Sequence, residues 1–168
     1  MARDILKTLK AEHDELRSLF AEMEDTTDRG KKARAQLLSK IEAGLIPHAK
    51  WEELYFYPAF KERADREGQK TYAEAVQEHR AVELVVLPDL KAKPTDTADF
   101  AGSAKVLGEF VDHHAKEEEK TMSKMARELF SADERMELDE QYEAWKSSSE
   151  ASKEFEKAAN QPPPAPIA

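Results

Sequence analysis

The sequence predicts an all-α protein: an antiparallel, up-down-up-down four-helix bundle with an extra polar C-terminal helix. Three observations predict it. Strand signals are absent and only five of the 168 residues are glycine. Alanine, leucine, glutamate and lysine, the good helix formers, dominate the composition. Apolar residues recur at alternating steps of three and four along four long segments, and short polar connections join those segments, which makes neighbouring helices antiparallel.

Each element has its own signals. Helix A runs from about Asp4 to Asp25, with Leu6, Leu9, His13, Leu16, Phe20 and Met23 on one face, and stops in the segment TTDRG. Helix B runs from about Lys31 to Lys61 and aligns Leu38, Ile41, Leu45, His48, Glu52 and Tyr55. Helix C runs from about Lys70 to Ala92 and aligns Tyr72, Ala75, His79, Val82 and Val86. Helix D starts after Thr95, read as its N-cap, and reaches about Leu129 along Ala104, Leu107, Val111, His114, Glu118, Thr121 and Met125. A fifth helix opens at Ser131, where S-A-D-E places Glu134 three residues on in a capping box. It fades through KSSSEASKEFEKAAN and is expected to pack outside the bundle or to project from it. Pro47 and Pro88 interrupt helical patterns and predict kinks or short breaks, and Pro58 is expected to loosen the end of helix B. The domain organisation read from this pattern is a bundle over 1–130, a polar helix over 131–160 and a disordered proline-rich tail over 161–168.

Composition removes several classes of function. The chain has no cysteine, so it offers no disulfide, no thiolate metal site and no cysteine nucleophile. A net charge of −9 leaves no basic face for nucleic acid. No run of 18 apolar residues spans a membrane, and the segment MARDILKTLKAEHDEL lacks the apolar core of a secretory signal, so the expected location is cytoplasmic. Mean hydropathy of −0.77 describes a strongly solvated surface.

A repeat carries the chemistry. HAKWEE at 48–53 and HAKEEE at 114–119 differ at one position, and His48 and His114 are 66 residues apart. Glu52 to Glu118 and His13 to His79 span the same interval, and Glu12 and Glu78 precede the two single histidines. The order is H, HxxxE, H, HxxxE, one element per helix, as a duplicated half-bundle would write it. Every apolar seam runs until it meets one of these groups. A lone histidine on an apolar face is usually a satisfied core residue, and a lone HxxxE is common on exposed helices. Four histidines and two glutamates at matching heights are another matter, because buried unpaired carboxylates cost on the order of several kcal/mol each. A metal centre resolves all six at once. Imidazole nitrogens and carboxylate oxygens suit Fe, Mn or Zn, and an i,i+4 pair reaches one site from one helix face. Four nitrogens and two carboxylates in a two-fold array suit two metals, each holding two imidazoles and both sharing the carboxylates. Six donors exceed a structural zinc site, which favours iron.

The pattern H…HAKWEELYFYP…EH…HHAKEEE resembles the hemerythrin-like, HHE cation-binding family, over about Asp4 to Leu129. Ferritin-like carboxylate bundles use ExxH instead, an order absent here. The resemblance implies a hemerythrin-like bundle around a non-haem di-iron centre, oxo- or hydroxo-bridged, with His13, His48, Glu52, His79, His114 and Glu118 as metal ligands. The family's oxygen carriers have a fifth histidine on the third helix. Here the positions four before and four after His79 are Ala75 and Glu83, and the carriers' last-helix HxxxxD is replaced by HxxxE. The expected function is therefore a di-iron protein that binds or reacts with O2, hydrogen peroxide or NO in oxidative or nitrosative stress, with peroxide or NO chemistry favoured over carriage. The alternative is an iron-storage module, or an oxygen- or iron-sensing one, without turnover and with helix E and the tail meeting a protein partner. Whether the chain is an enzyme, and its oligomeric state, stay open at this level.

Neighbouring residues are expected in lesser roles. His113, beside His114, is read as solvated or as bonding a ligand. Glu53 and Glu119 lie one step off the seam and are read as a solvated face, with bonding to a histidine N–H as their other use. Tyr55 faces the metal on the seam as drawn, with core packing as its plainer role, and Tyr57 turns inward if Pro58 disturbs the helix end. Glu83 is an exposed charge or a substitute for the missing histidine; Tyr72, Met122 and Met125 are packing.

Overall fold

A computed structural model describes residues 3–167 and is helical throughout its regular structure. Residues 1, 2 and 168, which the domain boundaries above include, lie outside the described residues. Helix α1 is Ile5–Glu24, capped by the Asp4 carboxylate on the Leu6 N–H. Helix α2 covers 31–63: an α-helix Lys31–Trp51, a π-helical turn Glu52–Phe56 and a final stretch Tyr57–Arg63. Helix α3 covers 66–91, with a π-turn at Val82–Val86 between Arg66–Ala81 and Leu87–Lys91. Helix α4 covers 98–129, with a π-turn at Glu118–Met122. Helices α5, Ala132–Lys146, and α6, Ser149–Ala159, follow.

The four long helices form a closed antiparallel square in which α1 packs between α2 and α4, and α3 completes the other side. Several boundaries differ from expectation. Helix α3 begins four residues early because Asp65 caps it, accepting from the Gly68 N–H, so Gly68 lies inside the first turn. A Cβ there would sit 2.7 Å from the Ala64 Cβ, which explains the glycine. Thr97, not Thr95, caps α4, accepting from the Phe100 N–H. Pro47 leaves the α-helix unbroken. The fifth helix does not fade: it ends at Lys146, and Ser148 caps a new helix by accepting from the Ala151 N–H. Nor is the C-terminal pair merely polar, since α5 lies on α1 and α2, α6 lies on α2, and Tyr142, Trp145, Ala151 and Ala158 are buried.

The π-turns have one consequence for the whole core. Each holds an extra residue, as its i→i−5 bonds show: Tyr57 N–H to Glu52, Leu87 N–H to Val82, Ser123 N–H to Glu118. Past each turn the inward face slips forward. Phe56, Tyr57 and Phe60 are buried where the seam predicted Tyr55. Leu87 and Leu90 are buried beyond Val86, and Met122 and Ala126 replace Thr121 and Met125. Two of the turns run up to a proline, Pro58 and Pro88. A proline ring collides with the carbonyl four residues back, and the wider turn makes room for it. Pro58 therefore stands inside α2, which continues to Arg63.

The core is split in two. One cluster holds Leu16, Phe20, Ile41, Leu45, Leu87, Leu107 and Val111. The other holds Leu6, Leu9, Trp51, Phe56, Tyr57, Phe60, Met122 and Tyr142. Between them along the chain lies a layer of buried histidine and glutamate. The apolar clusters carry the bundle's stability, so Leu107→Ala, at a fully buried site, should cost ~2–5 kcal/mol. Val106→Ala, at a site 45% exposed, should stay within about 0.5 kcal/mol of the parent. Urea unfolding of both at equal metal loading checks this; equal losses would mean that α4 is turned the wrong way.

Candidate metal centre

All six sequence-predicted residues converge in that layer. His13 comes from α1, His48 and Glu52 from α2, His79 from α3, and His114 and Glu118 from α4. They form two sets of four donors. His13, His48, Glu52 and Glu118 each place a ligand-type atom within 4.8 Å of the others, and so do Glu52, His79, His114 and Glu118. The two glutamates belong to both sets, one oxygen to each. Glu52 Oε1 lies 3.2 Å from His48 Nε2 and its Oε2 lies 3.4 Å from His79 Nε2. Glu118 Oε2 lies 3.3 Å from His13 Nε2 and its Oε1 lies 3.5 Å from His114 Nε2.

The opposite nitrogens of the four rings are all committed. His13 Nδ1 meets Glu119 Oε1 at 3.0 Å, and His48 Nδ1 meets Glu12 Oε2 at 2.7 Å. His79 Nδ1 meets Glu53 Oε1 at 3.0 Å, and His114 Nδ1 meets Glu78 Oε2 at 2.5 Å. A carboxylate only accepts, so each Nδ1 carries the proton and donates it. In the neutral ring Nε2 then presents a lone pair. Yet His13 Nε2 and His48 Nε2 are 3.1 Å apart, and His79 Nε2 and His114 Nε2 are 2.9 Å apart. Facing lone pairs at that distance repel unless a cation lies between them. Two nitrogens each ~2.1 Å from one ion, at right angles, sit ~3 Å apart, so the donor spacing fits a metal. Glu52 Oε1 agrees: it is buried without a hydrogen-bond partner and lies 3.2 Å from His48 Nε2, where a shared cation would satisfy both.

Electrostatics point the same way. Burial opposes charging of His114, but the Glu118, Glu78 and Glu52 carboxylates outweigh it and hold the imidazole up at about 10. His48 is likewise pushed well above the usual histidine range, Glu52 and Glu12 overcoming its burial. Glu118 lies well below the carboxylate range, His114 and His13 overcoming its burial. The layer attracts positive charge, and a metal ion supplies it while competing with protons for the same nitrogens.

Several neighbours differ from the sequence reading. Glu53 and Glu119 are half-buried partners of His79 and His13 and do not lie on a solvated face. Glu119 is anchored by Arg17 at 2.8 Å, and Glu53 by Lys50 at 2.9 Å. Glu83 pairs with Lys50 and adds no donor to the layer. His113 is exposed and lies 3.4 Å from Glu78 Oε1. Tyr55 points away from the layer and donates to Glu150 Oε2 at 2.6 Å. The π-turn brings Tyr57 in instead. Its hydroxyl donates to Glu118 Oε1 and stands 3.1 Å from His79 Nε2 and 3.3 Å from His114 Nε2. Burial, with the charges of Glu118 and Glu52, pushes this phenol well above its ordinary range, so it keeps its proton. The position 66 residues on is Ser123, so the tyrosine serves one donor set only. On the histidine side of the layer lies a cavity of about 50 Å³. It touches all four histidines and is walled by Leu16, Leu45, Val82, Val111 and Phe110.

The profile of the hemerythrin HHE cation-binding domain matches residues 4–126, the four helices that carry these donors. The chain belongs to that family. The HHE match ends before α5 and α6. Among solved structures, the chain is similar to a hemerythrin HHE cation-binding domain-containing protein from Mycobacterium kansasii. Identity is 22%, the TM-score is 0.74, and the alignment covers 94% of this chain and 90% of that one, a likeness of fold that extends over the C-terminal helices. None of the curated proteins compared with the chain matches it. No described helix is long and apolar enough to cross a membrane.

The shared glutamates set the expected ranking of variants. Glu52→Ala or Glu118→Ala removes an oxygen from both donor sets and should strip both metals. Glu53→Ala or Glu119→Ala should weaken binding by ~10- to 100-fold while keeping the capacity. His114→Ala should lose metal and His113→Ala should keep it. Metal content after loading and desalting decides, and equal retention across these variants would show the helix faces to be misassigned.

Proposed function

We propose that this HHE protein holds a non-haem di-iron centre on His13, His48, Glu52, His79, His114 and Glu118 and uses it on a small oxygen or nitrogen species, hydrogen peroxide foremost. The observation that carries the reading is the small cavity against all four histidines, directly beside two donor sets that share both carboxylates. A cavity of about 50 Å³ has room for a small molecule such as peroxide or a diatomic gas.

Bound iron supplies the electrons and open coordination positions; the chain supplies everything around them. Glu52 and Glu118, each with one oxygen in either donor set, would help to hold both ions. Glu12, Glu53, Glu78 and Glu119 fix the ring orientations and make the Nε2 atoms more basic. Leu16, Leu45, Val82 and Val111 give the cavity apolar walls. Tyr57 holds a proton beside the His79–His114 pair and makes the two iron positions inequivalent. Six ligands leave more open positions than the seven of the family's oxygen carriers, which favours reaction over reversible carriage. Peroxide disproportionation needs no outside reductant: one molecule is reduced to water while a second is oxidised to O2.

Protein purified aerobically should contain about two irons per chain, show oxo-bridged ferric absorption and evolve O2 from peroxide over many turnovers. Tyr57→Phe should keep the iron and slow turnover by ~10-fold or more, whereas Tyr55→Phe should not. An iron-free protein, or one holding a single tight zinc, sinks the di-iron assignment. Two irons with only stoichiometric consumption of peroxide would leave the binding-module reading.

A further inference from the structure

The four carboxylates behind the histidines are anchored unequally. Arg17 and Lys50, both on bundle helices, hold Glu119 and Glu53. Among the described residues, Glu78 has only the exposed His113 beside its ligand partner. Glu12 is held from outside the HHE segment. The Tyr142 hydroxyl donates to Glu12 Oε2 at 2.7 Å, the same oxygen that accepts the His48 Nδ1 proton at 2.7 Å. The Lys146 ammonium reaches Glu12 Oε1 at 3.2 Å. These bonds show in the charge state of Glu12: burial opposes its ionisation, but His48, Tyr142 and Lys146 bring it down to about 2.

The helix that delivers Tyr142 and Lys146 is itself fixed at both ends. At its start Arg135 bonds Asp4 at 2.8 Å, behind the Ser131–Glu134 capping box. Midway, buried Asp139 accepts from Thr8. At its end Trp145 and Tyr55 donate to one oxygen of Glu150, tying the α5–α6 turn to α2. The Tyr142 ring lies against Trp51, centroids 4.7 Å apart, so its hydroxyl cannot swing away. The pseudo-two-fold counterpart of this arrangement is absent. On the α3–α4 side a surface cleft of about 320 Å³ reaches His114 and Glu118. The cleft beside α5 reaches Glu12, Tyr142 and Lys146 but none of the six donors, while a cleft of about 630 Å³ between α1 and α4 touches His13, so the anchoring of Glu12 and not surface access sets the two positions apart.

We infer that Tyr142 and Lys146 are positioning residues for His48, and that the C-terminal helix pair is a working part of one metal position, the one at His13 and His48, and not of the other. The inference rests on the two-metal reading. It makes the two positions unequal in a defined sense: the His13–His48 ion is held by a locked ligand and leaves slowly, while the His79–His114 ion leaves quickly.

Release of Co²⁺ from the full-length protein to a chelator tests it. The parent protein, loaded with two equivalents, should release them in two phases, and His48→Ala should abolish the slow one. Tyr142→Phe, which keeps the ring, and Lys146→Met, at a side chain 30% exposed, should each speed the slow phase by ~10- to 100-fold and leave the fast phase unchanged. Lys146→Arg should restore it. Circular dichroism confirms that the variants keep their helix content. Both phases accelerating together would mean that α5 only stabilises the bundle, and no change in either would mean that Glu12 needs no anchor; either result overturns the inference. A parent protein that takes up fewer than two Co²⁺ refutes the two-metal reading instead, and is distinguishable from both.

Discussion

Four imidazole lone pairs aimed at one another inside an apolar bundle are the constraint on which this structure depends. The outer Nδ1–carboxylate bonds create the situation: each ring is turned and its tautomer set by a glutamate on an adjacent helix, so each Nε2 must face inward as an acceptor. Those four bonds link α1 to α2, α2 to α3, α3 to α4 and α4 back to α1, and so close the square. Inward, these nitrogens meet the Glu52 and Glu118 oxygens and, on one side, the Tyr57 hydroxyl, and a cation shared with the carboxylates satisfies them together. The same bonds that hold the helices together therefore create the demand for cations between them.

The donors need a scaffold that does not itself depend on them. Apolar clusters on both sides of the layer provide it, with Leu107 and Ile41 on one side and Phe60 and Tyr57 on the other. The chemistry is confined to one polar slab. Its cavity is lined by apolar side chains together with Lys50, Glu53, Glu78 and Glu83, and its tyrosine is on the other side. The 66-residue repeat gives the layer a two-fold plan with two imperfections: Tyr57 stands opposite Ser123, and the C-terminal helix behind Glu12 has no counterpart behind Glu78 among the described residues.

Much of this was legible in the residues. The 66-residue repeat of HxxxE and of the single histidines picked out the six residues that converge in the layer, because periodicity places an i,i+4 pair on one face whatever surrounds it. The number and order of the four bundle helices followed from the apolar seams, whereas the C-terminal segment read as one helix is two. The register beyond Glu52, Val82 and Glu118 did not, because a π-turn slips the inward face and leaves no mark in hydrophobic periodicity; only Pro58 and Pro88 hint at two of the three. Tyr55 was drawn inward for that reason and Tyr57 is the residue that arrives. Glu53 and Glu119 repeated as faithfully as the donors, but a position one step off a seam reads as solvent-facing until the neighbouring helix is in place. The role of Tyr142 and Lys146 was invisible, since it depends on how a separate helix docks some 130 residues from Glu12 along the chain.

The central claim is that both glutamates bridge two ions, each bound by one histidine pair. Diffraction from iron-loaded crystals at the iron absorption edge tests it most directly. The account requires two anomalous peaks, one against His13 and His48 Nε2 and one against His79 and His114 Nε2, each touching one oxygen of Glu52 and one of Glu118. A single peak, or iron bound on the outer carboxylates Glu12, Glu53, Glu78 or Glu119, would contradict it.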